Sequence, residues 1–533
     1  MFDALSASTD RRRFLSLLGG GTLAAAVGMA ATQPSRAWAN PQFSDYPFSL
    51  GVASGEPVPD GVVLWTKLAP EPTAPDGKGG MPNKAVPVNW QIAEDPAFAR
   101  VVRAGAEIAS PDLGHSVHVE VSGLRPDREY WYRFRAAGQL SPVGRTKTAP
   151  AAGAALASMA FAFVSCQNLP AGYFTAYKHL AQEDLDVVLH LGDYIYEGDG
   201  QGQLGRGHLP VSEIFSLSDY RVRHGQYKTD PDLQAAHAAF PWLVTLDDHE
   251  VENNWAGSIS QEDNEPDQDP AVFLERRAAA FQAFYEFQPL RLANKPNGPD
   301  MQLFRRAKFG NLAEINMVDT RQYRDDQVCG GGRAIDCDER LDPTRTMLGE
   351  TQEQWLLDGM ERSDSTWNVM GNQVFSMQVD ATPGPQVGLG MDTWNGYAAA
   401  RQRLYDGVQQ RGVDNFVILT GDAHRSAAAD LKLNFDDQSS PTIGTEFLGT
   451  SISSGGNGRD MDATGQQWLA ENPHLKFHNA QRGYVRCELT PTQWRTDYKV
   501  VPYVTTPDAP LTTNGTLYVE AGRPGIAQVE KNA

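Results

Sequence analysis

Three apolar runs in this chain each end in a cluster of acids and ring-bearing side chains. DVVLH is followed by LGDYIY (191–196), PWLVTL by DDHE (247–250) and FVILT by GDAH (421–424). In an open α/β sheet, ligands collect beyond the carboxyl ends of the strands, so reactive side chains recurring there point to one shared site. The residue types at those ends predict that the site holds metal.

At 533 residues the chain is long enough for two or three compact units. The first 39 residues read as a leader. Arg11, Arg12 and Arg13 precede Phe14 and Leu15, a Gly/Ala-rich stretch runs to about Ala31, and Ala37-Trp38-Ala39 forms a small-residue cleavage site. This is the pattern of a twin-arginine signal, which predicts export by the twin-arginine machinery and a periplasmic or secreted protein. Removal of its four Arg and two Asp takes the formal net charge from −20 to −22. That sign argues against binding a nucleic-acid backbone. No later segment is apolar for long enough to span a membrane.

Residues 40–150 contain VVLWT, VPVNWQIAE, HSVHVEVSGL and EYWYRFRAAG, short runs separated by proline and glycine turns, which predict a small β-sandwich. Leu124, Pro126, Tyr130 and Tyr132 resemble the fibronectin type III pattern, in which a tyrosine caps a corner between sheets. TAPAAGAALAS (148–158) reads as a linker. From 151 to 505 the pattern is α/β. MAFAFVSC, GYFTAYKHLAQED and DVVLHLGD form a right-handed βαβ unit. Amphipathic helices are expected over 271–288 and 350–363, and strands over 304–321, 366–375, 416–422, 446–454 and 484–501. The mixture predicts two β-sheets sandwiched by helices. Residues 506–533 read as a tail without strong helical pattern. Loops such as 198–230 and 255–270 are expected to set the width of the pocket, and QEDNEPDQD (261–269) to be a solvated acidic loop.

The four cysteines make no disulfide framework. Cys329 and Cys337 bracket CGGGRAIDC, where a disulfide formed after export fits the glycine-rich closure. Cys487, in YVRCEL, reads as a buried strand residue. Cys166 ends FAFVSC, where a thiolate would face the metal site.

Asp193 and Tyr196 lie three apart beyond a strand, so the carboxylate can bridge two ions while the phenolate binds one. Phenolate and thiolate suit ferric iron, whereas Asp and Asn oxygens suit calcium, so the donors predict two different metals. In DDHE, Asp248 is a candidate ligand and His249 a candidate catalytic group that protonates a leaving oxygen or offsets charge. Asp422 and His424 form an i, i+2 pair that extended backbone would send to one side. Asn372, after WNVM, is a candidate amide ligand, with an ordinary turn asparagine as the competing reading. Arg321, in DTR, either grips a phosphate in a fork or forms a salt bridge with Asp325 or Asp326.

With GVASGEP and LWTK (51–67), FVSCQN, LGDYIYE, DDHEVENNW, DTRQYR, GNQV, LTGDAHRS and GTSISSGG, the chain resembles the PhoD-type alkaline phosphatases, in order, across nearly its whole mature length. That family is similar to purple acid phosphatases, and the GDxxY and DxH elements here match that wider metallophosphatase pattern. The resemblance implies ferric iron (Fe3+) held by Cys166, Asp193, Tyr196 and His424. It places calcium (Ca2+) against Asp248, Asn372 and Asp422, with Asp193 shared, and His249 over the phosphoryl group. The purple phosphatase pattern has a carboxylate in place of Cys166 and an Asn in place of Asp248, and the added anionic ligand favours calcium. The implied activity is hydrolysis of phosphate esters for phosphate scavenging, by a metal-bound hydroxide, with Arg321 and His249 offsetting developing charge. The alternative is a phosphodiesterase or phospholipase D acting on phospholipid headgroups with the same metals. A non-enzymatic binding protein with a structural metal site is a third reading.

Overall fold

A strand covered on both faces is mostly apolar at successive positions, and the strands that lead into the expected site follow that pattern apart from His190, Asn368 and Thr420. Val187–His190, Pro241–Val244, Trp367–Gly371 and Phe416–Thr420 are buried at every residue. They belong to a computed structural model that describes residues 43–532, so the leader expected over 1–39 lies outside the described residues. Met159–Val164, Val187–His190, Pro241–Val244 and Val52–Val58 run parallel in a ten-stranded sheet. Ala313–Met317, Trp367–Gly371, Phe416–Thr420 and Thr442–Leu448 run parallel in a seven-stranded sheet. Antiparallel strands flank both parallel centres, such as Arg482–Leu489 beside Met159–Val164 and Arg305–Phe309 beside Ala313–Met317.

Alternation along these strands divides each run between two cores. Phe161, Phe163, Val187 and Leu189 of the larger sheet meet Ile315, Val369, Val417 and Leu419 of the smaller one. Ala162, Val164 and Val188 pack instead with Tyr177 and Phe281, on the helices Thr175–Leu180 and Pro270–Phe287. Met370 and Ile418 pack with Leu356 and Leu404, on the helices Gly349–Glu361 and Ala398–Gln410. Cys487 is a fully buried strand residue, and Cys329 and Cys337 are joined in a disulfide. No helix among the described residues is long and apolar enough to cross a membrane.

The expected N-terminal region 40–150 packs into one compact unit with the rest of the described residues. Its strands Val52–Val58, Gly61–Lys67 and Ser116–Val121 extend the ten-stranded sheet, through Ser54 opposite Pro241, while Val86–Ala93, Val101–Ala109 and Glu129–Ala136 belong to a separate five-stranded sheet. The core between these two groups holds Val62, Val88, Val119, Tyr130 and Tyr132. Within the expected linker, Ala149 is buried against the core between the large sheets.

The expected tail 506–533 is also corrected: Thr512–Glu520 and Arg523–Lys531 form a hairpin that completes the ten-stranded sheet. Alternation places Leu517 and Val519 in the inter-sheet core, a strand signal rather than a helical one. Within 198–230, residues Leu217–Lys228 are helical behind a Ser216/Asp219 capping box. Arg223, His224 and Lys228 are buried there, so polar residues mask the core-facing stripe. The acidic loop 261–269 is solvated only in part, since Asp267 is buried against Arg276 at 2.8 Å.

Leu517→Ala should lower unfolding free energy by about 2–5 kcal/mol in chemical denaturation, as expected for a buried leucine. Gln528→Ala, exposed on the last strand, should change it by less than about 0.5 kcal/mol. Equally small effects would show that the terminal hairpin is no part of the core.

Candidate active site

Every residue expected at the site lies beyond the carboxyl end of a parallel strand. Cys166 follows Met159–Val164, Asp193 and Tyr196 follow Val187–His190, and Asp248 and His249 follow Pro241–Val244. Arg321 follows Ala313–Met317, Asn372 follows Trp367–Gly371, and Asp422 and His424 follow Phe416–Thr420.

Four of these residues have left-handed backbone: Cys166 (φ 60°), Asp193 (φ 58°), Asp422 (φ 64°) and His424 (φ 54°). For residues with a Cβ this region is sparsely populated and must be imposed by the surroundings. The extended backbone expected for Asp422 and His424 is therefore corrected, because a tight turn aims them. Neighbouring peptides impose it. Cys166 N donates to Gly192 O at 3.1 Å, Gln167 N to Asp193 O at 3.0 Å, and Arg482 Nη1 donates to His424 O. The Glu250 carboxylate accepts from Asp193 N at 3.2 Å and Asp247 N at 2.8 Å, tying two strand ends together. Gly192, at φ 114°, lies so close to Asp247 that a Cβ would come within 2.3 Å of the Asp247 Cβ.

The donor atoms of Cys166, Asp193 and His424 lie within 4.8 Å of one another, as do those of Asp193, Asp248 and His249. Asp193 belongs to both groups. Tyr196 joins the first: its hydroxyl donates to Asp193 Oδ2 at 2.7 Å, lies 3.1 Å from His424 Nε2 and accepts from Ser454 Oγ at 2.7 Å. Asn372 is fully buried, with Nδ2 donating to Val374 O at 2.6 Å and Oδ1 accepting from the Trp394 indole at 3.3 Å. The His249 ring lies 4.2 Å from the Tyr196 ring, centroid to centroid, and its Nδ1 is 2.7 Å from Glu197 Oε2.

Burial of so many acids is costly without positive charge. Burial, with repulsion from Asp248 and Asp247 that His249 only partly offsets, raises Asp193 well above the usual carboxylate range. Asp422 is raised by burial and then by Asp247 and Asp248. Burial pushes Asp247 up to about 7 against the pull of Arg321, and Glu250 to about 8 against its backbone donors. Burial and the nearby Arg482 lower His424 to about 3, which leaves its imidazole neutral. Burial alone would lower His249, but Glu197, Asp248 and Asp193 outweigh it and hold the ring as a cation. Asp193 Oδ1 is buried with no hydrogen-bond partner. An unpaired carboxylate oxygen amid repelling acids, beside a neutral imidazole, a thiol and a phenol, fits a cation-binding centre.

Arg321 is not free to fork a phosphate, and its expected partners are not Asp325 or Asp326. It is fully buried, with Nε on Asp247 Oδ1 at 2.6 Å, Nη1 and Nη2 on Asp392 at 3.1 and 3.2 Å, and Nη2 3.4 Å from Asp248 Oδ2. These carboxylates occupy the guanidinium, so Arg321 is a positioning residue. Sequence reasoning missed Asp247, Glu250 and Glu197, each beside a candidate already chosen. It also missed Arg482, and Asp392, which lies 71 residues from Arg321 with no local motif to announce it.

Family models described as "PhoD-like phosphatase" and "PhoD-like phosphatase, N-terminal domain" match residues 161–498 and 32–150. The chain is 49% identical over 528 residues to "Alkaline phosphatase D" of Bacillus subtilis (strain 168), covering 98% of this chain and 89% of that protein. It superposes on a solved structure described as "Structure of PhoD" with TM-score 0.88 and 50% identity, covering 92% of this chain and 94% of the other. The strand-end acids, the paired sheets and these matches over nearly the full length agree: the chain belongs to the PhoD-like phosphatase family and is a phosphatase.

Proposed function

We propose that this phosphatase hydrolyses phosphate monoesters outside the cytoplasm, for phosphate scavenging, at a centre of ferric iron and calcium. The reading rests on Asp193, whose carboxylate lies within 4.8 Å of the donor atoms of Cys166 and His424 on one side and of Asp248 and His249 on the other. Cys166, Tyr196 and His424 give one side thiolate, phenolate and imidazole, a set that suits ferric iron. Asp248, Asn372 and Asp422 give the other side only hard oxygens, which suit calcium. When bound, the two cations supply Lewis acidity toward water and the phosphoryl oxygens.

The chain's own residues orient and protonate. Glu197 engages His249 Nδ1 and leaves Nε2 to carry a proton toward a leaving oxygen. Arg321 keeps Asp247 and Asp248 in place. Export rests on Arg11, Arg12 and Arg13 and on Ala37-Trp38-Ala39. The reading of residues 151–505 as a metallophosphatase sandwich is supported by the packing of two sheets between helices. A fibronectin III-like N-terminal region over 40–150 is supported by the Tyr130 hydroxyl, which accepts from Arg125 N at 2.9 Å.

Elemental analysis combined with turnover of a monoester tests the whole reading. The iron-loaded protein should absorb visible light by charge transfer from Tyr196 or Cys166, and Tyr196→Phe should shift or abolish the band. A colourless, iron-free and fully active enzyme would sink the assignment. A chelator should remove activity that added calcium restores, and Asp248→Ala should lower calcium content while leaving most iron bound; restoration by zinc alone counts against calcium. His249→Ala should lose roughly 10²- to 10⁴-fold in turnover while keeping both metals, with a larger loss on alkyl than on activated aryl esters. Equal losses on both classes would show that His249 is not the acid.

A further inference from the structure

We propose that a cleft beside the centre receives the organic group of the ester and selects against organic groups that carry negative charge; this rests on the phosphate-ester reading above. The cleft has a volume of 650 Å³, and Asn254 forms the part of its lining that connects to the centre. Asn254 has left-handed backbone (φ 55°) and is held from both sides. Its N donates to Asp248 Oδ2 at 2.9 Å, while its carbonyl accepts from Gln327 Nε2 at 2.6 Å and Arg324 Nη2 at 3.3 Å. Among the described residues its side-chain amide makes no hydrogen bond, so the lining of the cleft includes an amide free to meet a ligand. Gln327 Nε2 also bonds Asp392 Oδ1 at 2.7 Å, the same carboxylate oxygen that engages Arg321.

The far wall is Gly330–Gly332, inside the Cys329–Cys337 disulfide and held by Met391 N on Gly332 O at 3.0 Å. Asn254, Gln261 and Gln327 offer amides, and Glu262 and Asp326 offer carboxylates. No lysine or arginine lines the cleft, and among the described residues neither acid pairs with a cation. Amides and carboxylates satisfy hydroxyl and ammonium groups, whereas an incoming carboxylate or second phosphate meets the exposed carboxylates of Glu262 and Asp326, with Arg345 and Arg324 engaged at the main-chain carbonyls of Asp326 and Asn254. The site therefore suits hydroxyl- or amine-bearing organic groups.

The test compares kcat/KM for glycerol 3-phosphate and 3-phosphoglycerate, in which a carboxylate replaces a hydroxymethyl, with p-nitrophenyl phosphate as a common reference. The holoenzyme should prefer the glycerol ester, and the double variant Glu262→Gln, Asp326→Asn should narrow the preference about tenfold, mainly through KM for the charged ester. Raising salt from about 20 to about 500 mM should narrow it in the wild-type enzyme without any substitution. A preference unchanged within about twofold by both salt and substitution, with p-nitrophenyl phosphate turnover intact, would overturn the cleft's role while leaving the phosphatase reading standing. No turnover of any of the three esters by the wild-type holoenzyme would overturn both.

Discussion

The buried carboxylates at the strand ends are the constraint on which the structure depends. Asp193, Asp247 and Asp248 are gathered out of water with the half-buried Asp392 and Asp422 beside them, and the positive charge close to them comes from Arg321, Arg324 and His249. Such crowding is tolerated when a cation is bound or when the acids take up protons. Arg321 offsets part of that charge, because it links carboxylates from two separate chain segments at once. Its burial follows from this task, since an exposed guanidinium would be screened and would not hold the loops in register.

The strained turns are the second half of the same arrangement. Left-handed backbone at Cys166, Asp193, Asp422 and His424 turns donor atoms inward within a few residues of the strand ends. Glu250 and Arg482 then use main-chain groups of those turns as partners, so loops from both sheets brace one another. A flexible loop would reach the same positions only by losing entropy when the cations bind. Here the sheets have already met that cost through the packing of Phe163, Leu189, Val417 and Leu419.

The outer segments support the centre from a distance. Strand Val52–Val58 joins Pro241–Val244, which leads directly to Asp248, so the N-terminal region stiffens a strand that carries the site. At the opposite edge the terminal hairpin covers the inter-sheet core with Leu517 and Val519.

By itself the sequence determined which strands could lie between two layers, because runs such as FVILT and DVVLH are apolar at most of their buried positions. It also determined the donor types, since Cys166, Asp193, Tyr196, Asp248 and His424 are recognisable next to those runs. Only tertiary structure decided how the donors are aimed. The left-handed turn at Asp422 and His424 is imposed by neighbouring loops, and no local pattern demands it. Tertiary structure likewise assigned Arg321 to Asp247, Asp248 and Asp392, the last of them 71 residues away. Ion pairing depends on distance through space, and spacing along the chain does not encode it. The same reason hid the continuous sheet from 52 to 531: strand pairing is made by backbone groups that every residue carries, so composition marks the strands but not their neighbours.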